Sequence, residues 1–248
     1  VSEDVYAVNS PNNGNYNSEA AINAYYKLLN CGFRIGLAAG TDFPCNDLEP
    51  LGKLLTYVKV NEQLTYDKWI RGIKDGKTVV SRDGHNEFID MKINGKYGPG
   101  DEIKFKDKGI LNIEVKWTTT KETTGRIELV ENGKVIAVKE GTSKPGAPLV
   151  LSVQRPVDKS SWICARRMTG AEHASHAAAV YVTVNNKPVR ASAEDARFFV
   201  SWIDNVLKNI TTSGKWSRYF THDLDVVKAR YTKARDIYSN IAAEASKQ

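Results

Sequence analysis

The chain has 248 residues, 41% hydrophobic and 26% charged. That balance excludes a disordered tail and leaves room for one large core or two ordinary ones. Lys and Arg outnumber Asp and Glu by six, but Lys104, Lys106, Lys108, Lys116 and Lys121 alternate with Glu102, Asp107, Glu114 and Glu122. Interspersed charge marks solvated strand faces, and with no reader motif beside it the basic balance does not point to nucleic acid. No run reaches the roughly 18 apolar residues of a membrane span. Cys31, Cys45 and Cys164 are odd in number and far apart, which suits separate thiols better than a disulfide framework. The first residues read as the middle of a longer protein, so no compartment follows from them.

The first element is a helix over residues 18–30. Asn17 or Ser18 can cap it, Ile22, Tyr25, Leu28 and Leu29 share a face, and Gly32 supplies a left-handed stop. Residues 33–39, an apolar run between Gly32 and Gly40, are too short for another helix and fit a parallel strand buried on both faces. A short helix over 66–74 and a strand over 78–81 continue an α/β grammar.

After Asn94-Gly95 the pattern changes to alternation: Ile103 and Phe105; Ile113, Val115 and Trp117; Ile127 and Leu129; Leu149, Leu151 and Val153; Val180, Val182 and Val184. Asn132-Gly133 between two such runs is a hairpin turn. About seven short strands at this spacing predict an antiparallel sandwich of immunoglobulin-like type. Two helices close the chain. Ser192 and Asp195 form a capping-box pattern ahead of the stripe Ala196, Phe199, Val200, Ile203, Val206, Leu207 and Ile210. A second stripe runs through Leu224, Val227, Tyr231, Ala234, Tyr238 and Ile241. Such stripes are packing surfaces.

The one constellation with chemistry in it is the stretch Ala39, Gly40, Thr41, Asp42, Phe43, Pro44, Cys45, Asn46. Gly40 permits a sharp turn, and Asp42 falls just past the expected carboxyl end of a buried strand, the edge where barrel enzymes gather metal ligands. A carboxylate there suits a divalent cation; it equally suits the cap of a turn or helix. Cys45 lacks a visible base and reads as filler. His173 and His176 are three apart and could share a helical face, but the segment joins two strands and has no third ligand nearby. Arg82 and His85, in the polar loop after the strand at 78–81, are substrate-contact candidates beside the alternative of a solvated connection.

The stretches "YYKLLNCGFRIGLAAGTDFPCN" and "EPLGKLLTYV" resemble the closing part of a PHP domain, the metal-dependent fold named for polymerase and histidinol phosphatase. The nearest subgroup is the CehA/McbA-like metallohydrolases. The resemblance continues through "IKDGKTVVSRDGHNEFIDMKING" and resumes at "AAAVYVTVNNKPVRASAEDARFFVSWID". It implies a distorted barrel holding two or three divalent metals, of Zn, Mn or Fe type, whose bound water attacks a phosphoester or related ester of a small molecule. Asp42 matches the family's late metal-ligating aspartate. The histidine that often follows two residues later is Pro44 here, and the early paired histidines are absent, since His85, His173, His176 and His222 all follow Asp42.

The expectation is an α+β multidomain chain. Residues 1–95 would be the incomplete end of a PHP-type α/β barrel, 96–190 an immunoglobulin-like β-sandwich and 191–248 carboxyl-terminal helices. Its function would be that of the carboxyl-terminal portion of a metal-dependent hydrolase. It would be inactive alone, would bind little or no metal as this fragment, and would be partnered by the missing amino-terminal part. The alternative is a non-catalytic β-sandwich module for binding or scaffolding.

Overall fold

The structure is a computed structural model that describes residues 18–41, 51–170, 172–211, 213–220 and 222–247. In chain order its elements are α1 (Ser18–Asn30), β1 (Leu55–Val58), α2 (Tyr66–Lys74), β2 (Thr78–Ser81), β3 (Glu87–Ile93), β4 (Glu102–Phe105), β5 (Gly109–Thr119) and β6 (Thr123–Glu131). There follow β7 (Lys134–Ser143), β8 (Leu149–Val157), β9 (Ser161–Thr169), β10 (Glu172–Ala177), β11 (Val180–Val184), α3 (Ala193–Asn209) and α4 (Leu224–Ala245).

The alternating apolar runs become the facing sides of two packed sheets. β3, β5 and β8 form a three-stranded antiparallel sheet. Its inward residues are Ile89, Met91, Ile93, Leu111, Ile113, Val115, Trp117, Leu149 and Leu151, all buried. They meet Ile127, Leu129, Ile163, Ala165, Val180, Val182 and Val184 from the second, eight-stranded sheet. Period-two burial on both inner faces is what holds a sandwich together. In the large sheet β9 is central. It pairs with β6 along one edge, and along the other with β10 at its carboxyl half and β11 at its amino half. β10 and β11 are one bent strand interrupted at Ala178 and Ala179. Beyond the bend β10 pairs with β2 antiparallel, β11 pairs with β4 parallel, and β1 lies outside β2. The turn at Asn132-Gly133 has both residues at positive φ, 51° and 81°, as a two-residue hairpin requires, and it joins β6 to β7.

A helical layer covers the outer face of the large sheet. α1 buries Tyr25, Tyr26 and Leu29 against Val130, Trp162, Cys164, Ala178 and Ala179. The consecutive small residues of the bend let the helix approach the sheet closely. α1 ends where Gly32 turns left-handed at φ 89°, and a Cβ there would stand 2.6 Å from the Val189 carbonyl oxygen. Asn30 ties three elements together: its Oδ1 accepts from Trp162 Nε1 at 2.7 Å and its Nδ2 donates to Asp195 at 2.8 Å. Ser192 caps α3 by accepting from Asp195 N at 3.1 Å, while the Asp195 carboxylate turns to Asn30 and to Lys27 at 2.7 Å. α3 and α4 then pack on α1 through Cys31, Phe33, Phe199, Tyr238 and Ile241.

Three expectations need correction. Residues 33–41 belong to no sheet and no helix. Ile35 and Ala39 meet hydroxyls instead: Tyr25 donates to Ile35 O, Ile35 N donates to Tyr181, and Thr56 holds both Ala39 N and Ala39 O at 2.8 and 2.9 Å. β1 and β2 pair antiparallel, so no parallel barrel is built by the described residues. The boundary expected at 95/96 falls between strands that are paired into the same sandwich, since β3 pairs with β5, and β2 joins the large sheet through β10.

Candidate functional site

The polar groups worth testing for chemistry lie on the outer face of the large sheet, beneath α1. Alternation along β9 sends Trp162, Cys164 and Arg166 to this face and Ile163, Ala165 and Arg167 to the other. On β10 the pairing with β9 slips between His173 and Ser175. That irregularity brings His173 and His176, three residues apart, onto one side of the strand. Their rings stack with centroids 5.7 Å apart.

His176 is the hub. Its Nδ1 lies 2.7 Å from the Ala177 carbonyl oxygen, an arrangement that requires Nδ1–H to donate. Nε2 is then the acceptor for the Tyr26 hydroxyl at 2.7 Å. Cys164 Sγ sits 3.8 Å from the same Nε2 and 3.7 Å from Tyr26 Oη. Arg166 Nη1 donates to Tyr26 Oη at 3.5 Å, and its Nε donates to the buried Glu128 at 2.7 Å. Glu128 also pairs with Arg126 at 2.8 Å.

A cysteine and a histidine at this distance invite a nucleophile-and-base reading, which the electrostatics oppose. Burial pushes the Cys164 thiol up to about 12. Burial, with the His173 ring adding, pushes His176 down to about 3. The pair therefore stays thiol and neutral imidazole near pH 7, the reverse of an activated thiolate–imidazolium couple. Burial lowers His173 to about 4, with Arg166 and Arg82 contributing. Among the described residues no group of three or more His, Cys, Asp or Glu side chains could hold a metal ion.

Asp42, the candidate metal ligand, lies outside the described residues, as do Pro44 and Cys45. Arg82 follows the end of β2 and is half-buried, its backbone N donating to Ala174 O at 2.8 Å. His85 is exposed on the opposite side of that loop, 3.0 Å from the Tyr57 hydroxyl through Nδ1. The structure thus brings Arg82 toward the histidine cluster and leaves His85 away from it. Sequence reasoning missed Tyr26, Glu128, Cys164 and Arg166 as partners. The adjacent Tyr25-Tyr26 pair on a helix already assigned to packing was the available signal for one of them.

Among the described residues no helix is long and apolar enough to cross a membrane. No protein-family model and no curated protein matches the chain. Solved structures similar to parts of it include the sulfur carrier protein SoxY from Chlorobium limicola f thiosulfatophilum, 13% identical over 39% of this chain and 74% of that one, with TM-score 0.28. The CARDB domain of PF1109 from Pyrococcus furiosus is 15% identical over 42% of this chain and 99% of that one, with TM-score 0.29. A Jonesia denitrificans lytic polysaccharide monooxygenase is 18% identical over 37% and 61%, with TM-score 0.20. None of these likenesses is close enough to carry an argument about this chain.

Proposed function

We propose that the chain is the carboxyl-terminal portion of a metal-dependent hydrolase of the CehA/McbA-like PHP class, acting on a small phosphoester or related ester. In this reading residues 33–41 are the lead-in to the metal centre of the parent, and Asp42 contributes one ligand to a divalent cation there. The remaining ligands come from the preceding part of the same protein. The observation that supports it is the clamp on Ala39. Thr56 takes both backbone groups of a residue three positions before Asp42, a fixed lead-in of the kind a metal-binding carboxylate needs. The described residues do not make a metal site by themselves. Their part is to anchor the segment and seal its back against the sandwich.

Asp42→Asn in the intact parent tests this. The change keeps size and hydrogen bonding but removes the charge that offsets a cation, so bound metal by elemental analysis and turnover should fall together while thermal stability holds. Unchanged metal content would mean that Asp42 is only a cap, a role Asn fills about as well.

A second reading, a non-catalytic β-sandwich module for binding or scaffolding, is favoured by the neutral state of the buried Cys164 and His176. It requires Asp42→Asn to leave both metal content and activity untouched.

A further inference from the structure

The hairpin of α3 and α4 is fastened to the rest of the molecule at its base. Ala196 and Phe199 of α3 and Tyr238, Ile241 and Ala242 of α4 share an apolar cluster with Cys31 and Phe33. Lys27 pairs with Asp195 and Arg190 with Glu244 at the same base, at 2.7 and 2.6 Å. From Phe199, α3 runs on to Asn209, which carries the other end of the hairpin about 15 Å along the helix axis. The connection at that end is a built loop. Trp216 N donates to Asn209 O at 2.9 Å and Gly214 N to Thr211 O at 2.8 Å, folding it back on the last turn of α3. Gly214 lies so close to Asn209 O that a Cβ has no room.

This end joins exposed apolar rings to a surplus of positive charge. Trp216, Tyr219 and, in the first turn of α4, Val226 are 42%, 65% and 53% exposed. Asn205 through His222 carry Lys208, Lys215 and Arg218 and contain no Asp or Glu. Over residues 205–234 six lysines and arginines stand against two aspartates, Asp223 and Asp225. That excess of four is most of the six carried by the whole chain. Asp204, just before this stretch, is taken by Arg235 at 2.5 Å across the hairpin.

We propose that this end of the hairpin docks on an anionic lipid surface. Trp and Tyr combine an apolar ring with a polar edge, which suits the headgroup level of a bilayer, and lysines and arginines beside them are drawn to anionic headgroups. The order along the chain fits that depth. Trp216 and Tyr219 occupy the connecting loop, with Lys208 in the last turn of α3 and Lys228 and Arg230 in the first two turns of α4 behind them. Arg218 lies 4.7 Å from the Tyr219 ring centroid and donates to its hydroxyl at 2.6 Å, so ring and charge are presented together. The exposed aliphatic Val226 favours lipid over nucleic acid, whose contacts are phosphates and base faces. Attachment is at the surface, since among the described residues no helix is long and apolar enough to cross a membrane. This surface does not depend on the hydrolase reading.

The test is co-sedimentation of the whole 248-residue chain with vesicles of phosphatidylcholine alone and of phosphatidylcholine mixed with phosphatidylserine. Binding to the mixed vesicles is expected, roughly 10-fold or more tighter than to the neutral ones and weakening as salt is added. Lys215→Gln with Arg218→Gln should weaken it about fivefold per charge removed. Trp216→Ala with Tyr219→Ser should weaken it roughly 10-fold or more. Lys92→Gln with Lys116→Gln, on the outer face of the small sheet, should leave it unchanged. Thermal midpoints check that each variant folds; if the aromatic pair does not, Lys215→Gln with Arg218→Gln decides. No binding to the mixed vesicles, equal binding to neutral ones, or equal weakening by Lys92→Gln with Lys116→Gln overturns the proposal. Tighter binding to a single-stranded oligonucleotide, lost in the same tip variants, assigns the surface to nucleic acid and overturns it too. Self-association of the chain that Trp216→Ala with Tyr219→Ser abolishes, beside no vesicle binding, assigns it instead to a second copy.

Discussion

Tyr26 and His176 make up the most consequential contact between the helical layer and the sheet. Because Nδ1–H is committed to Ala177, Nε2 has the Tyr26 hydroxyl as its close donor. Tyr26→Phe leaves a buried acceptor unpaired, and we expect a loss of about 1–3 kcal/mol in denaturant unfolding. An unchanged midpoint would show that water replaces the hydroxyl. The same burial makes stability depend on pH. Both histidines have folded pKa values, about 4 and about 3, below the unfolded value of about 6.5. Above about 6.5 both states are neutral and nothing is lost. As pH falls from there toward 4 the unfolded chain takes up protons that the folded one refuses, and stability drops by about 1.4 kcal/mol per pH unit for each histidine. His176→Gln should shallow that slope between pH 6.5 and 5 relative to wild type, and parallel slopes would contradict the assignment. Little of this was legible in the sequence. His173 and His176 stood out, but in a segment joining two strands a spacing of three gives no shared face, and the slip in strand pairing that brings them together leaves no local mark. Asp42 was the strongest candidate on sequence and lies outside the described residues.

At the scale of elements the readable parts were those whose signals are local. α1, α2, β2, the Asn132-Gly133 hairpin and the Ser192 cap follow from periodicity, capping and turn chemistry. β9 was missed because Ser161 through Ala165 are buried on both faces, which erases alternation. Residues 33–39 were read as a strand because an apolar run between glycines has the same signature whatever partners its backbone. Here side chains of Tyr25, Thr56 and Tyr181 take backbone groups of the segment, the last of them 146 positions from Ile35. That difference is measurable. Ladder pairing holds 163–165 to β6 and, at Ile163, to β11, whereas Ile35 and Ala39 are tied to side-chain hydroxyls, the kind of attachment that opens at low cost. Amide exchange in 33–41 should therefore be faster than at 163–165. Equal protection in the two stretches would mean that the segment is laddered after all.

The molecule as a whole has three layers: a small sheet, a large sheet and a helical cover, fastened at Asn30 and Asp195. Strands on both sides of residue 96 share the two sheets, so the sandwich draws on sequence first read as the end of another domain. The central claim is that this three-layer unit frames an active centre without containing one. A lone carboxylate cannot hold a catalytic metal or make its bound water a nucleophile. The most direct measurement is an assay of the purified chain against generic phosphodiester and phosphomonoester substrates with Mn²⁺ or Zn²⁺. The account expects no turnover above background. Turnover that persists through further purification and disappears in Asp42→Ala would contradict it.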